Sequence, residues 1–228
     1  MQRTVYDWLG HEWVALRAEG SPQLEVPDQT REVFSRLDEE LRGLELSLDN
    51  TVRTRLWARD RSSRDQGSRV RVETLTGAAR SASSSFIAPD AFDSHGAVAV
   101  ELWAMRPATR GAPKTLVEYD PPIVPLRYLV WESVVVLSGV TSMLPTLASQ
   151  VPEITEAITR SLTLAGIDWE QAVKISCILH RSQSQAELRS LLGHVTARSP
   201  AVLEISVADG YSTEGKLVEV EVTAQLPR

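Results

Sequence analysis

The sequence predicts an α+β fold built twice along one chain, and three observations carry that expectation. Helix-like and strand-like stretches follow one another in the same order in both halves, the halves keep register over most of their length, and a proline-rich stretch separates them. A chain of 228 residues has room for two domains of roughly 110 residues, each long enough to bury a core without disulfides or metal.

The repeat is visible first in an apolar strand, where Val14-Ala15-Leu16 lies opposite Val135-Val136-Leu137. A helix follows in each half. Between Gln29 and Leu44, apolar residues fall at Val33, Leu37, Leu41 and Leu44, one face of an α-helix. Between Gln150 and Ala165 the same face is formed by Ile154, Ile158, Leu162 and Ala165, each 121 positions beyond its counterpart. The offset carries on through Leu48–Val52 against Trp169–Val173 and into the strands Val52–Ala58 and Val173–Leu179. In the closing strands it has drifted by one residue, and Val100-Glu101-Leu102-Trp103-Ala104 lies opposite Val220-Glu221-Val222-Thr223-Ala224. Two amphipathic helices can match by chance, but a whole series of elements in one order marks a duplication.

Each copy therefore reads as an opening strand pair, a long helix, a strand, a second helix and two closing strands. The first spans residues 1–108, the second 122–228, and residues 109–121 form a linker. Pro107, Gly111 and Pro113, then Asp120-Pro121-Pro122, give that linker a composition that resists regular structure. Strands interleaved with two helices predict one mixed sheet per copy with both helices on one face. Trp131–Leu137 is apolar at nearly every position, so the other face is expected to be covered as well, by a second sheet or subunit.

Composition narrows the function. With 43% hydrophobic and 24% charged residues and no long apolar run, the chain has the make-up of a soluble globular protein. The opening residues Met1–Trp8 lack the apolar stretch and cleavage site of a secretory signal, so a cytoplasmic location and no membrane association are expected. The lone Cys177 lies in the strand-like Val173–Leu179 and is read as a core residue. No histidine or second cysteine stands at metal-ligand spacing, so no metal and no organic cofactor are expected. A net charge of −6 argues against nucleic acid. The basic run Arg53, Arg55, Arg59, Arg61, Arg64, Arg69 and Arg71 is read as a solvated hairpin or helix face.

Several short segments resemble the Rid (YjgF-like) family of enamine and imine deaminases. In the second copy these are Val135-Val136-Leu137-Ser138-Gly139, the helix ending Leu164-Ala165-Gly166, Ser199-Pro200-Ala201, and the closing Leu217–Ala224 with its alternating valine and glutamate. In the first copy, Gly77-Ala78-Ala79-Arg80-Ser81-Ala82 is similar to the family's Pro-Ala-Arg-Thr segment. The resemblance implies two tandem chorismate-mutase-like α+β domains of Rid type. It also implies domains that associate in threes with ligand clefts between neighbours, hence a homo-oligomer such as a homotrimer.

It implies site residues as well. Arg80 stands where the family's arginine binds a substrate carboxylate, and a planar guanidinium suits that task. Glu219 stands at the family's water-handling glutamate, with Ser138 and Gly139 as backbone donors and Tyr128 near the family's pocket tyrosine. Each copy is incomplete: the glutamate position falls at Ala99 in copy one, where Arg17-Ala18 replaces Ser-Gly, and Val202 fills the arginine position of copy two. The losses are complementary, which suggests a composite cleft drawing on Arg80 and Glu219. Against this, Glu219 is also what a solvent-facing residue between core valines looks like, and Arg80 fits an ordinary surface arginine. The implied activity is hydrolysis of a small carboxylate-bearing enamine, imine or related unsaturated metabolite. The alternatives are a noncatalytic metabolite- or protein-binding scaffold, a chorismatase-like hydrolase and an RNA-binding protein.

Overall fold

The apolar stripe of the long helix is the centre of a core in each half. In the computed structural model, which describes residues 1–199 and 201–227, the chain divides into two compact units, residues 1–114 and 115–228.

Unit 1 runs β1 (Gln2–Trp8), β2 (His11–Glu19), α1 (Val26–Arg42), β3 (Thr51–Ala58), α2 (Arg61–Thr74), β4 (Ala82–Ile87) and β5 (Val98–Arg106). Its sheet has the order β1-β2-β5-β3-β4. Only β3 and β4 are parallel, as expected for strands joined by a helix. Val33, Phe34, Leu37 and Leu41 of α1 pack onto Val14 and Leu16 of β2, Leu56 of β3 and Val100 and Leu102 of β5.

Unit 2 runs β6 (Lys114–Val117), β7 (Tyr128–Trp131), β8 (Val134–Leu137), β9 (Val140–Thr141), α3 (Leu147–Leu164), β10 (Ala172–His180), α4 (Gln185–Thr196), β11 (Val202–Ala208) and β12 (Val218–Gln225). The order β7-β8-β12-β10-β11 repeats that of unit 1 strand for strand, with β6 added outside β7 and β9 pairing with β12. Ile154, Ile158 and Leu162 of α3 pack onto Leu137, Ile175, Cys177, Val220 and Val222. Two α+β units of one topology are thus present, each a mixed sheet with two helices on one face.

Boundaries differ from expectation for local reasons. The helices α1 and α3 both start three residues before Gln29 and Gln150. In α1, Pro27 occupies the first turn, where its missing N–H costs nothing. In α3, the Thr146 hydroxyl accepts a hydrogen bond from the Ser149 N–H at 3.2 Å and caps the end. Leu44 lies past the end of α1, where Gly43 donates its N–H to Glu39 O. The proline-rich stretch contains β6, because Lys114-Thr115-Leu116-Val117 is a short β-favouring run between its prolines.

The basic run is also not a uniformly solvated face. Arg69 is exposed, but Arg53 and Arg55 lie on β3 and are 6% and 5% exposed. They alternate with Thr54 and Leu56, so their side chains leave the sheet on the face away from α1 and α2. There Arg55 stacks 5.0 Å over the Trp103 ring and meets Glu101 at 3.8 Å.

The two cores are equivalent in depth, since Leu37 and Ile158 are both fully buried at matching positions. Leu37→Ala and Ile158→Ala are each expected to lower stability by about 2–4 kcal/mol, measured by chemical denaturation. A loss under about 1 kcal/mol in either would show that the helix stripe does not centre that core.

Candidate active site

The alternation of β12 divides chemistry from packing. Val218, Val220, Val222 and Ala224 join the core under α3 and α4, so Glu219 and Glu221 project from the opposite sheet face. Neither is solvent-facing: Glu219 is 6% exposed and Glu221 2%. A carboxylate held away from water on the face opposite the helices is a candidate for proton handling. In the sheet, Glu219 lies opposite Ile178 of β10 and Thr141 of β9.

Two tyrosines share the electrostatic surroundings of Glu219. Burial pushes the Tyr211 phenol far above its ordinary pKa, and the negative charge of Glu219 adds to the rise. The Tyr211 hydroxyl donates to Ile178 O at 2.9 Å, beside the strand position facing Glu219. Burial likewise raises the Tyr119 phenol, Arg127 opposes the rise and Glu219 reinforces it. The Arg127 guanidinium sits 5.6 Å from the Tyr119 ring centre. Tyr119 and Tyr211 escaped the sequence reading because each lies outside the segments that carry the resemblance.

Ser138 and Gly139 are positioned by a break in the strand. Val136 faces Thr223 and Val140 faces Val220, so four steps along β8 and β9 span three along β12. The extra residue is a β-bulge at Ser138-Gly139, a device that re-aims backbone groups. Ser138 is fully buried, and its N–H donates to Arg127 O at 3.3 Å. In unit 1, β2 runs through Arg17-Ala18 with no such shift against β5.

Arg80 is half-buried and closes a 3-10 turn, Gly77–Ala79, with its N–H donated to Gly77 O at 3.3 Å. Gly77 has φ +53, which favours glycine there. Arg80 enters β4 at the end where Ala82 faces Arg53, whereas Ala99, the counterpart of Glu219, faces Trp57. Four residues of strand, ~13 Å, separate those levels, so the two positions stand at opposite ends of a unit's sheet. In the strand pairing Val202 faces Lys174 as Ala82 faces Arg53, and Val202 is not an arginine.

Tyr128 is not brought to Glu219. It faces Leu137 and packs in the core under α3, on the opposite side of the sheet. The strand period of two decides this.

In unit 1 the Ser-Gly position holds Arg17, which meets Glu101 at 3.0 Å and Glu19 at 3.5 Å and donates to the Ala91 carbonyl. Beside it opens a cleft of about 360 Å³, lined among others by Arg17, Glu19, Ser21, Arg36 and Ser94. Glu19 accepts hydrogen bonds from the Asp93 and Ser94 N–H groups at 2.9 and 2.8 Å and so ties that loop to β2. Among the described residues, no group of three or more His, Cys, Asp or Glu is placed to hold a metal ion. No described helix is long and apolar enough to cross a membrane.

Two α+β units of one strand order, one of them with a buried carboxylate on the sheet face away from its helices, are the class this architecture defines. Among solved structures, a chorismatase matches at 15% identity with a TM-score of 0.63, over 94% of this chain and 74% of that one. A member of the YjgF/YER057c/UK114 family from Mycobacterium tuberculosis matches at 19% identity, TM-score 0.46, over 50% of this chain and 100% of that one. A YjgF-family protein from Neisseria meningitidis gives 18%, 0.46, 51% and 98%. At these identities the likeness is one of fold. No family model matches the chain, and no curated protein matches it.

The Glu19 clamp has a pH signature. Burial raises its pKa, but the Ser94 side chain, the Asp93 and Ser94 N–H groups and Arg17 together outweigh burial and hold it below the ordinary glutamate value. A lowered folded-state pKa stabilises above the unfolded value, and the contribution is lost as pH falls through the folded one. Glu19→Gln is therefore expected to lower stability by about 1–2 kcal/mol at neutral pH, with the gap to wild type closing in acid. A pH-independent gap in urea denaturation would contradict the clamp.

Proposed function

We propose that this protein hydrolyses a small carboxylate-bearing enamine or imine, with Glu219 as the proton-handling group and Arg80 as the carboxylate anchor. The observation that carries the reading is the burial of Glu219 on the sheet face opposite the helices, next to the Ser138-Gly139 bulge. The tandem α+β scaffold supports it, and Arg80 enters the reading through its resemblance to the family's carboxylate-binding arginine.

The chemistry needs little else. Water adds to the imine carbon, and a carboxylate that takes the water proton can return it to nitrogen. The hydroxyl proton of the carbinolamine then moves to nitrogen as the C–N bond breaks, giving a keto acid and ammonia with no change in oxidation state; an enamine enters the same path once its β-carbon is protonated to give the imine. A guanidinium fixes the substrate carboxylate by two parallel hydrogen bonds, which orients the carbon for attack. Neither unit by itself carries both groups, so the reading requires each residue to be essential.

The chorismatase likeness favours a second reading, since that match extends over both units. It is hydrolysis of a larger carboxylate-bearing ring compound such as chorismate, which the same acid and anchor would serve.

The test is a substrate panel of freshly generated 2-aminoacrylate, bulkier imines and chorismate, assayed by ammonia and keto acid release. Arg80→Ala and Glu219→Gln are each expected to reduce kcat/KM by roughly 100-fold or more. Turnover of chorismate alone would select the second reading. Wild-type activity in both variants would remove both readings, and binding of small carboxylates without turnover of any substrate would mark a noncatalytic scaffold.

A further inference from the structure

We infer that the chain self-associates through β1, which pairs with β1 of a second copy as a two-fold antiparallel ribbon. β1 is the outer strand of unit 1, with no strand on its far side among the described residues. In unit 2 the corresponding edge, that of β7, carries β6 as an additional strand. The fold therefore accepts a strand at this edge, and unit 1 leaves it open.

The open edge is long and regular. It pairs with β2 over seven residues without a register shift and contains neither proline nor lysine, the usual protections of a free edge. The turn to β2 is the two-residue Leu9-Gly10, with φ +54 and +81. Such a turn is closed by a hydrogen-bonded pair, here Trp8 and His11. Even-numbered residues of β1 thus bond to β2, and Arg3, Val5 and Asp7 turn their N–H and C=O groups outward. The next ladder agrees, since the even-numbered Gly20 continues β2 by donating to Val98 O on the β5 side at 2.9 Å.

The outward residues are self-complementary. Antiparallel pairing about a two-fold axis at Val5 sets Val5 against Val5, Arg3 against Asp7 and Asp7 against Arg3 of the other copy. In that register all three outward residues become hydrogen-bonded pairs, and each end gains an ion pair across the strands. Val5 is 44% exposed, an apolar residue at the axis. Arg3 meets Glu40 of α1 at 3.2 Å, a surface contact that leaves its guanidinium half exposed and able to share Asp7. On the opposite face the register sets Thr4 against Tyr6 and Gln2 against Trp8. A shift by one residue would instead set Val5 against Thr4 or Tyr6 and lose the charge pairing.

One strand pair is a small interface, so the expected product is a reversible dimer with a micromolar dissociation constant. Sedimentation equilibrium of the full chain tests it. Wild type is expected to show a monomer–dimer equilibrium. Val5→Pro, which removes an outward N–H and no bond to β2, is expected to be monomeric with an unchanged circular dichroism spectrum and melting temperature. Arg3→Asp and Asp7→Arg singly set like charges opposite each other and are expected to weaken the dimer by roughly tenfold or more. The double variant R3D/D7R restores opposite charges and should restore dimerisation. The inference is overturned by a monomeric wild type, by an oligomer that Val5→Pro leaves intact, or by a double variant no better than the singles.

Discussion

Everything distinctive in this chain depends on the packing of one apolar helix face against one face of a mixed sheet. Once α1 and α3 claim that face, the strand period of two assigns every other side chain of the closing strands to the opposite side. Val220 and Val222 complete the core in unit 2, and Glu219 and Glu221 are thereby committed to the far face. The same rule in unit 1 sends Val100 and Leu102 to the core and Glu101 and Trp103 outward, where they meet Arg17 and Arg55. Packing and chemistry occupy separate faces of one strand, so duplication can keep the first while the second diverges.

The divergence is legible in three small changes. A bulge at Ser138-Gly139 breaks one strand into β8 and β9 where Arg17-Ala18 keeps β2 whole. Arg80 stands before β4 in one unit, and β11 opens on Val202 in the other. A buried glutamate on β12 faces Ile178, while its equivalent on β5 is alanine facing Trp57. Apart from Ala18, which joins the helix-side core of unit 1, Arg17, Arg80, Ala99, Ser138, Gly139 and Glu219 lie outside the two core clusters, and both sheets keep one strand order.

The fold was largely readable from the sequence because hydrophobic periodicity is enforced residue by residue. The offset of 121 positions seen in the helix stripe also holds for the helix starts Val26 and Leu147 and the strand starts Thr51 and Ala172. The apolar run Trp131–Leu137 announces a covered second face, but the pattern does not show which charged residues lie buried on it. Arg53 and Arg55 read as solvated because arginine usually is, and Glu219 reads equally as a functional or a solvent-facing glutamate, yet all three are buried. Tyr128 lies near the family's pocket tyrosine in sequence, whereas its place in the strand alternation puts it in the core. Tyr119 and Tyr211 reach the surroundings of Glu219 from outside the repeat-defining elements, and no periodicity announces such residues. The strand β6 was hidden by its proline-rich flanks, since four residues are too few to outweigh them.

The account stands or falls on the Glu219 face as the place where substrate binds. The most direct measurement is a crystal structure of the wild-type protein with pyruvate, the keto acid that hydrolysis of 2-aminoacrylate would release. The expected result is pyruvate with its carbonyl carbon beside the Glu219 carboxyl and its carboxylate on an arginine. Pyruvate found only in the cleft beside Arg17 and Arg36, or absent from the Glu219 face at saturating concentration, would contradict the account.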